Sequence, residues 1–187
     1  MRDQEYYNLV GAGLAFGVVL MFVLWAGVAS TANASAASPV GADPPANMYL
    51  TIQLNPVTGW PQYSPANFSV PSGLVVFTIV NYDVPANWSG CPCNVTGTVG
   101  DTETVNATTY AEVPSSNVAH TFDIPALGLN VLVPGMSTVT FALDLTQPGT
   151  YTWICEMPCG ADGFSGPPMG LPGYMTGTIT VGGADAS

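Results

Sequence analysis

Between Gly149 and Val181 the chain reads GTYTWICEMPCGADGFSGPPMGLPGYMTGTITV, and this stretch limits what the rest can become. Its opening alternates, with Tyr151, Trp153 and Cys155 on one face of an extended strand and Thr150, Thr152 and Ile154 on the other. Its end alternates too, with Gly177, Ile179 and Val181 opposite Thr176, Thr178 and Thr180. A long Gly/Pro-rich loop joins the two strands, carrying Cys155 and Cys159 and ending at Met175. Two soft sulfur donors four residues apart, on a loop held at both ends, make either a copper cradle or a disulfide. His120 is the one imidazole in the protein.

The remaining pattern is all-β. Met48–Leu54 reads as a first strand, and Leu74–Val80 is dense in β-branched residues with Val75, Phe77 and Ile79 on one face. Val118–Ile124 and Ser137–Leu145 follow, the latter pointing Val139, Phe141, Leu143 and Leu145 one way. Short strands between Pro and Gly turns predict a Greek-key sandwich of two sheets over residues 48–187. One polar segment, Val84 to Asn117, interrupts the rhythm and carries Cys91 and Cys93. A loop of that length is read either as a lid over the cysteine loop or as a free surface excursion.

Leu9 to Ala29 is a run of 21 residues without a charge. As a helix at ~1.5 Å per residue it reaches about 30 Å, the thickness of a bilayer core. Tyr6, Tyr7 and Trp25 flank it as interfacial aromatics do, and Arg2 favours an inside N-terminus, with the domain outside. The alternative is a cleaved signal peptide, for which Ala32-Asn33-Ala34 and Ala34-Ser35-Ala36 offer small-residue sites. The length of the run favours a retained single-pass anchor (1–30). The Ala/Ser/Pro-rich residues 31–47 read as a tether. Sequons at Asn33, Asn67, Asn87, Asn94 and Asn106 are potential glycan sites outside the membrane.

Charge narrows the function classes. One Lys or Arg stands against twelve Asp and Glu, and only 7% of the chain is charged. Without cations to neutralise phosphates, nucleic-acid binding is excluded. In acid, carboxylates lose charge while bases keep theirs and repel, so a chain stripped of bases fits an acidic external medium. Compositional drift in a secreted Thr/Gly/Pro-rich β protein gives the same numbers.

Four cysteines in an exported domain most simply make two disulfides, with three connectivities. Cys91 with Cys93 is a strained pair, Cys155 with Cys159 is feasible, and crossed pairing would staple the insertion to the loop. Any arrangement that oxidises Cys155 and Cys159 leaves no thiolate for a metal.

From His120 the chain runs through Pro125-Ala126-Leu127-Gly128, Pro134-Gly135, Pro148-Gly149-Thr150-Tyr151 and Cys155 to Gly160. In that order these motifs resemble the cupredoxin domain of subunit II of haem-copper terminal oxidases, over roughly Val118 to Val181. The resemblance implies a cupredoxin-like Greek-key β-sandwich behind one N-terminal transmembrane helix, and a dinuclear copper site fed by a small electron donor. Carried over by position, His120 matches one imidazole ligand, Cys155 and Cys159 the bridging thiolates, Met175 the thioether, and Met157 a main-chain carbonyl. The second imidazole is missing: its place falls on Gly163, and the loop has grown by Phe164 to Tyr174. Neither a dinuclear site of family type nor a His₂Cys blue-copper site is complete in a chain with one His. The centre is therefore lost, altered to hold one copper on His120, the thiolates and Met175 or Met169, or completed by a partner.

Three roles follow. The first is a non-catalytic, membrane-anchored accessory subunit of a respiratory terminal oxidase, docked on a haem-bearing membrane subunit, with a small donor or quinol nearby. The second is a tethered mononuclear copper electron carrier on the outer face of the membrane. The third is a glycosylated surface structural protein. Hydrolytic catalysis finds no Ser/His/Asp arrangement at a telling spacing.

Overall fold

In the computed structural model, which describes residues 44–86, 90–91, 93–159 and 163–182, the alternating stretches are strands. They are β1 (Ala46–Leu54), β2 (Pro61–Ser64), β3 (Asn67–Val70), β4 (Gly73–Asn81), β5 (Glu103–Val105), β6 (Thr108–Tyr110), β7 (Val118–Ile124), β8 (Leu129–Pro134), β9 (Ser137–Leu145), β10 (Gly149–Ile154) and β11 (Thr176–Val181). A single four-residue helical turn, α1 (Pro167–Gly170), interrupts the loop between β10 and β11. The expected anchor, the tether as far as residue 43, and the sequons at Asn33 and Asn87 lie outside the described residues. Among the described residues no helix is long and apolar enough to cross a membrane.

The strands form two sheets, β2-β1-β4-β9-β5-β6 and β3-β11-β10-β7-β8, and the fold is a two-sheet β-sandwich, as the strand pattern predicts. β4 and β9 pair antiparallel from Gly73 opposite Leu145 to Asn81 opposite Ser137. That register sets Val75, Phe77 and Ile79 against Leu143, Phe141 and Val139, all of them buried. Phe77 and Phe141 stack with ring centroids 5.2 Å apart. Phe122 and Trp153 reach in from the second sheet, 5.4 Å from each other, and Tyr63 lies 4.7 Å from Trp153. Each such side chain is worth roughly 1.5–3 kcal/mol when fully buried, so this aromatic cluster is what clamps the sheets. Thr176, Thr178 and Thr180 of β11 are the less buried face, opposite buried Gly177, Ile179 and Val181.

The described part of the segment Val84–Asn117 is not a free excursion. Thr96 and Asn130 exchange backbone hydrogen bonds of 3.0 Å each, and Val99 N–H donates to the Ala142 carbonyl at 2.8 Å. β5 pairs with β9, and β6 pairs with β5. The insertion thus runs along the open side of the sandwich, tied to β8 at one end and β9 at the other. A strand edge exposes unpaired amides, and covering them removes the cost of leaving them unmet. The carboxamide oxygens of Asn67 and Asn106 do similar work, accepting from Thr178 N–H and Thr138 N–H.

Glu103 belongs to the same seam. Its Oε2 accepts from Leu132 N–H on β8 at 2.9 Å, while Oε1 has no hydrogen-bond partner among the described residues. Burial pushes its pKa up to about 8, against the pull of the Leu132 amide. The unfolded chain loses this proton near the ordinary carboxylate value, so between about pH 4.5 and 8 the folded state holds the extra proton. Stability therefore falls as pH rises across that window. The urea midpoint is expected to drop from pH 5 to pH 8, and Glu103→Gln, neutral throughout, to flatten the slope. A midpoint that climbs with pH over the same range would contradict a protonated Glu103.

Candidate metal centre

β7 and β10 are antiparallel with Ile154 opposite Asp123, so the chain leaving β10 passes beside the first residues of β7. There His120 Nδ1 lies 3.0 Å from Cys159 Sγ and 4.0 Å from Cys155 Sγ, and the two sulfurs are 3.4 Å apart. All three residues are buried, and their donor atoms lie within 4.8 Å of one another. The Met157 carbonyl stands 3.2 Å from Cys159 Sγ and 3.8 Å from Cys155 Sγ, where the resemblance placed a main-chain oxygen.

Backbone bonds fix the turn. Cys155 N–H donates to the Met175 carbonyl at 2.9 Å, and Met175 N–H to the Pro168 carbonyl of α1 at 3.2 Å. Thr121 N–H points at Cys155 Sγ at 3.4 Å, and Glu156 N–H donates to Thr121 Oγ1 at 2.7 Å. Thr121 Oγ1 in turn donates to Asp123, whose pKa burial pushes up to about 8. Tyr63 Oη donates to the Thr121 carbonyl at 2.8 Å, which ties the aromatic cluster to the site.

Behind His120 stands Asp83, which the sequence did not single out. His120 Nε2–H donates to Asp83 Oδ2 at 3.1 Å. Asp83 is itself held: its N–H donates to Asn81 Oδ1 at 2.9 Å and it accepts from Val84 N–H at 2.8 Å. Its carbonyl accepts from Met136 N–H at 2.8 Å. Gly135 makes this approach possible, since a Cβ there would collide with Val84 and Pro85. A buried lone histidine needs a partner for its second nitrogen, and that rule, applied to the Asn-Tyr-Asp corner ending β4, is the signal that could have found Asp83.

The electrostatics are those of a coupled cluster. The hydrogen bond from His120 holds the Asp83 carboxyl below its usual range. Burial pulls the His120 pKa down, but the bonds to Asp83 and Cys155 outweigh it and leave the pKa at about 9. The thiols share a proton: the first ionisation of the pair is drawn down by the second thiol and by His120, and the second is pushed up. A cation entering here must displace the protons on Nδ1 and on the thiols, so its affinity rises with pH.

Two disulfides do not form. Cys91 pairs with Cys93, whereas Cys155 and Cys159 are free. The expected convergence of His120, Cys155 and Cys159 holds. Met175 is buried with its backbone bonded to Cys155, and Met169 is half-buried within α1. Gly163, where a second imidazole would have stood, opens a short 3₁₀ turn with φ of 59°. The donor set suits one soft cation with three or four ligands, as copper(I) or zinc accepts. It does not suit a dinuclear centre needing two imidazoles. The order Cys159–His120–Asp83 has the connectivity of a nucleophilic triad, yet exposures of 3% for Cys155 and 2% for Cys159 deny a substrate carbonyl access.

No protein-family sequence model matches the chain, and no curated protein sequence matches it. Among solved structures it is similar to a haem-copper terminal oxidase dimer, at 13% identity over 96% of this chain and 99% of that one, with a TM-score of 0.41. It is similar to a multicopper oxidase from the hyperthermophile Aquifex aeolicus, at 15% identity over 78% of this chain and 31% of that one, with a TM-score of 0.40. Auracyanin B is similar at 15% identity over 76% of this chain and 92% of that one, with a TM-score of 0.38. At these values the likeness goes no further than one β-sandwich to another.

Thiol titration checks the cysteine assignment. The folded, metal-free protein is expected to show no fast-reacting thiol, and two after unfolding without reductant. No thiol after unfolding would mean that Cys155 and Cys159 are oxidised.

Proposed function

We propose that the chain is an accessory cupredoxin subunit of the subunit II type in a respiratory terminal oxidase, with its copper site altered rather than lost. Leu9–Ala29 anchors it, and the β domain stands on the extracytoplasmic side. One copper ion is held by His120, Cys155 and Cys159, with Met175 as the thioether that the motif order assigns.

The observation that carries this reading is the convergence of one imidazole nitrogen and two free sulfurs from positions 39 and 35 residues apart. Any buried histidine needs a partner for each nitrogen, but packing alone does not call for two free thiols at one of them. Copper, when bound, supplies a one-electron couple. The chain supplies the rest: two soft sulfurs, an imidazole whose far nitrogen is held, and a dry aromatic floor of Tyr63, Phe122 and Trp153. A haem-bearing membrane subunit is the natural receiver of electrons, and a small donor protein or quinol their source. The single-ion donor set also favours a second reading, a tethered mononuclear copper carrier that works without a haem subunit.

Metal content and co-purification separate these readings. Protein isolated from native membranes is expected to carry about one copper per chain and to travel with a haem-containing partner. His120→Ala is expected to weaken copper(I) binding by about tenfold or more, since losing even the hydrogen-bond partner of such a ligand costs 10–100-fold. Copper without haem would favour the free carrier. No copper, with Cys155 and Cys159 oxidised, would remove both.

A further inference from the structure

The residue behind the histidine bears on how that site works, and this inference rests on the copper reading above. We propose that Asp83 is a positioning residue that keeps the proton of His120 on Nε2, so that Nδ1 is the nitrogen offered to a metal between Cys155 and Cys159.

Three observations place it in this role. First, the two ring nitrogens face opposite kinds of group: Nδ1 points at the Cys159 sulfur at 3.0 Å, and Nε2 at the Asp83 carboxylate at 3.1 Å. A carboxylate only accepts, so the nitrogen beside it must carry hydrogen. Second, Asp83 is oriented independently of His120. Asn81, Val84 and Met136 bond its amide, carboxylate and carbonyl. Asn81 is itself tied down, donating from Nδ2 to the Pro134 carbonyl at 2.9 Å. The corner 81–84 and the turn 134–136 thus form a frame that exists whether or not the imidazole is in place. Third, the Asp83 side chain is 20% exposed while that of His120 is 2% exposed. The carboxylate stays partly hydrated, so keeping it ionised costs less than burying it outright, and a charge is delivered to a buried ring from the surface.

Two other arrangements of the ring proton exist in principle. With hydrogen on Nδ1 alone, the ring would present a lone pair to Asp83, a repulsive contact, and would offer the thiols a donor in place of a ligand. Rotation of the ring by half a turn would put Cδ2 and Cε1 where Nδ1 and Nε2 now stand, and both contacts would be lost. Asp83 therefore disfavours both, and in the imidazolium form it keeps Nε2–H while Nδ1 is the proton that leaves. A carboxylate in this position also makes the ring a stronger donor, and loss of such partners costs metal sites 10–100-fold in affinity. With one imidazole in the whole chain, no second histidine can make good a misdirected first.

The test compares full-length protein with Asp83→Asn and Asp83→Ala. Asparagine keeps the shape and can present its carboxamide oxygen to Nε2–H, whereas alanine removes the acceptor. Nitrogen-15 NMR of His120 in the metal-free proteins reads the proton position directly. The wild type and Asp83→Asn are expected to show a slowly exchanging Nε2–H, and Asp83→Ala to lose it. Copper(I) affinity, measured by competition with a chromogenic chelator, is expected to fall 10–100-fold in Asp83→Ala and less than tenfold in Asp83→Asn. Near-ultraviolet circular dichroism of the metal-free proteins monitors the fold, and should Asp83→Ala not fold, the Asp83→Asn measurements decide. Hydrogen on Nδ1 alone in the wild type, or an unchanged copper(I) affinity in Asp83→Ala, would overturn the assignment. A wild type that binds no copper(I) yet shows the Nε2–H signal would instead sink the copper reading while leaving the His120 orientation established.

Discussion

Thr121 is the joint on which the site turns. Its amide points at Cys155, its hydroxyl accepts from Glu156 and donates to Asp123, and its carbonyl accepts from Tyr63. Every polar group of this fully buried residue is engaged, with β2, with the cysteine turn or with its own strand. Inside a protein an unmet polar group costs about 1–3 kcal/mol, so these bonds fix geometry even where their net contribution is modest. Remove the hydroxyl and the cysteine turn loses the contact that seats it one residue from His120.

Three buried groups shift in one direction, while Asp83 and the first thiol proton shift in the other. Glu103 and Asp123 are buried acids whose pKa values lie at about 8, and His120 is a buried base at about 9. All three keep protons that the unfolded chain would release at lower pH, so each favours folding on the acid side of neutrality. A chain with one basic residue in 187 is built in the same sense, since in acid it gathers little positive charge to repel itself.

Much of this architecture could be read from residues in a row. Period-two alternation located β4, β9, β10 and β11 to within a residue or two, because each buries one face more than the other, and β7 was placed by its turn signals and β-branched content although all seven of its residues are buried. It missed β8, LNVLVP, where both faces are covered and alternation disappears. It missed β5 and β6, three residues each, too short for a period to show. The candidate ligands His120, Cys155 and Cys159 were legible because soft donors are rare and the motif order is specific. Asp83 was not, because a carboxylate at a strand end looks like any turn residue until the fold brings it across 37 positions to an imidazole. The disulfide arrangement was equally out of reach, since cysteine spacing permits pairings that only tertiary placement decides.

The insertion between β4 and β7 has a consequence for assembly. By supplying Thr96 and Glu103 to the outer rim of β8, it occupies hydrogen-bonding positions that a strand from a neighbouring molecule would need. Crowded side by side on a surface, copies of this domain are prevented from zipping together along that rim. The length of polar chain that looks superfluous in the sequence is what keeps the sandwich a solitary unit there.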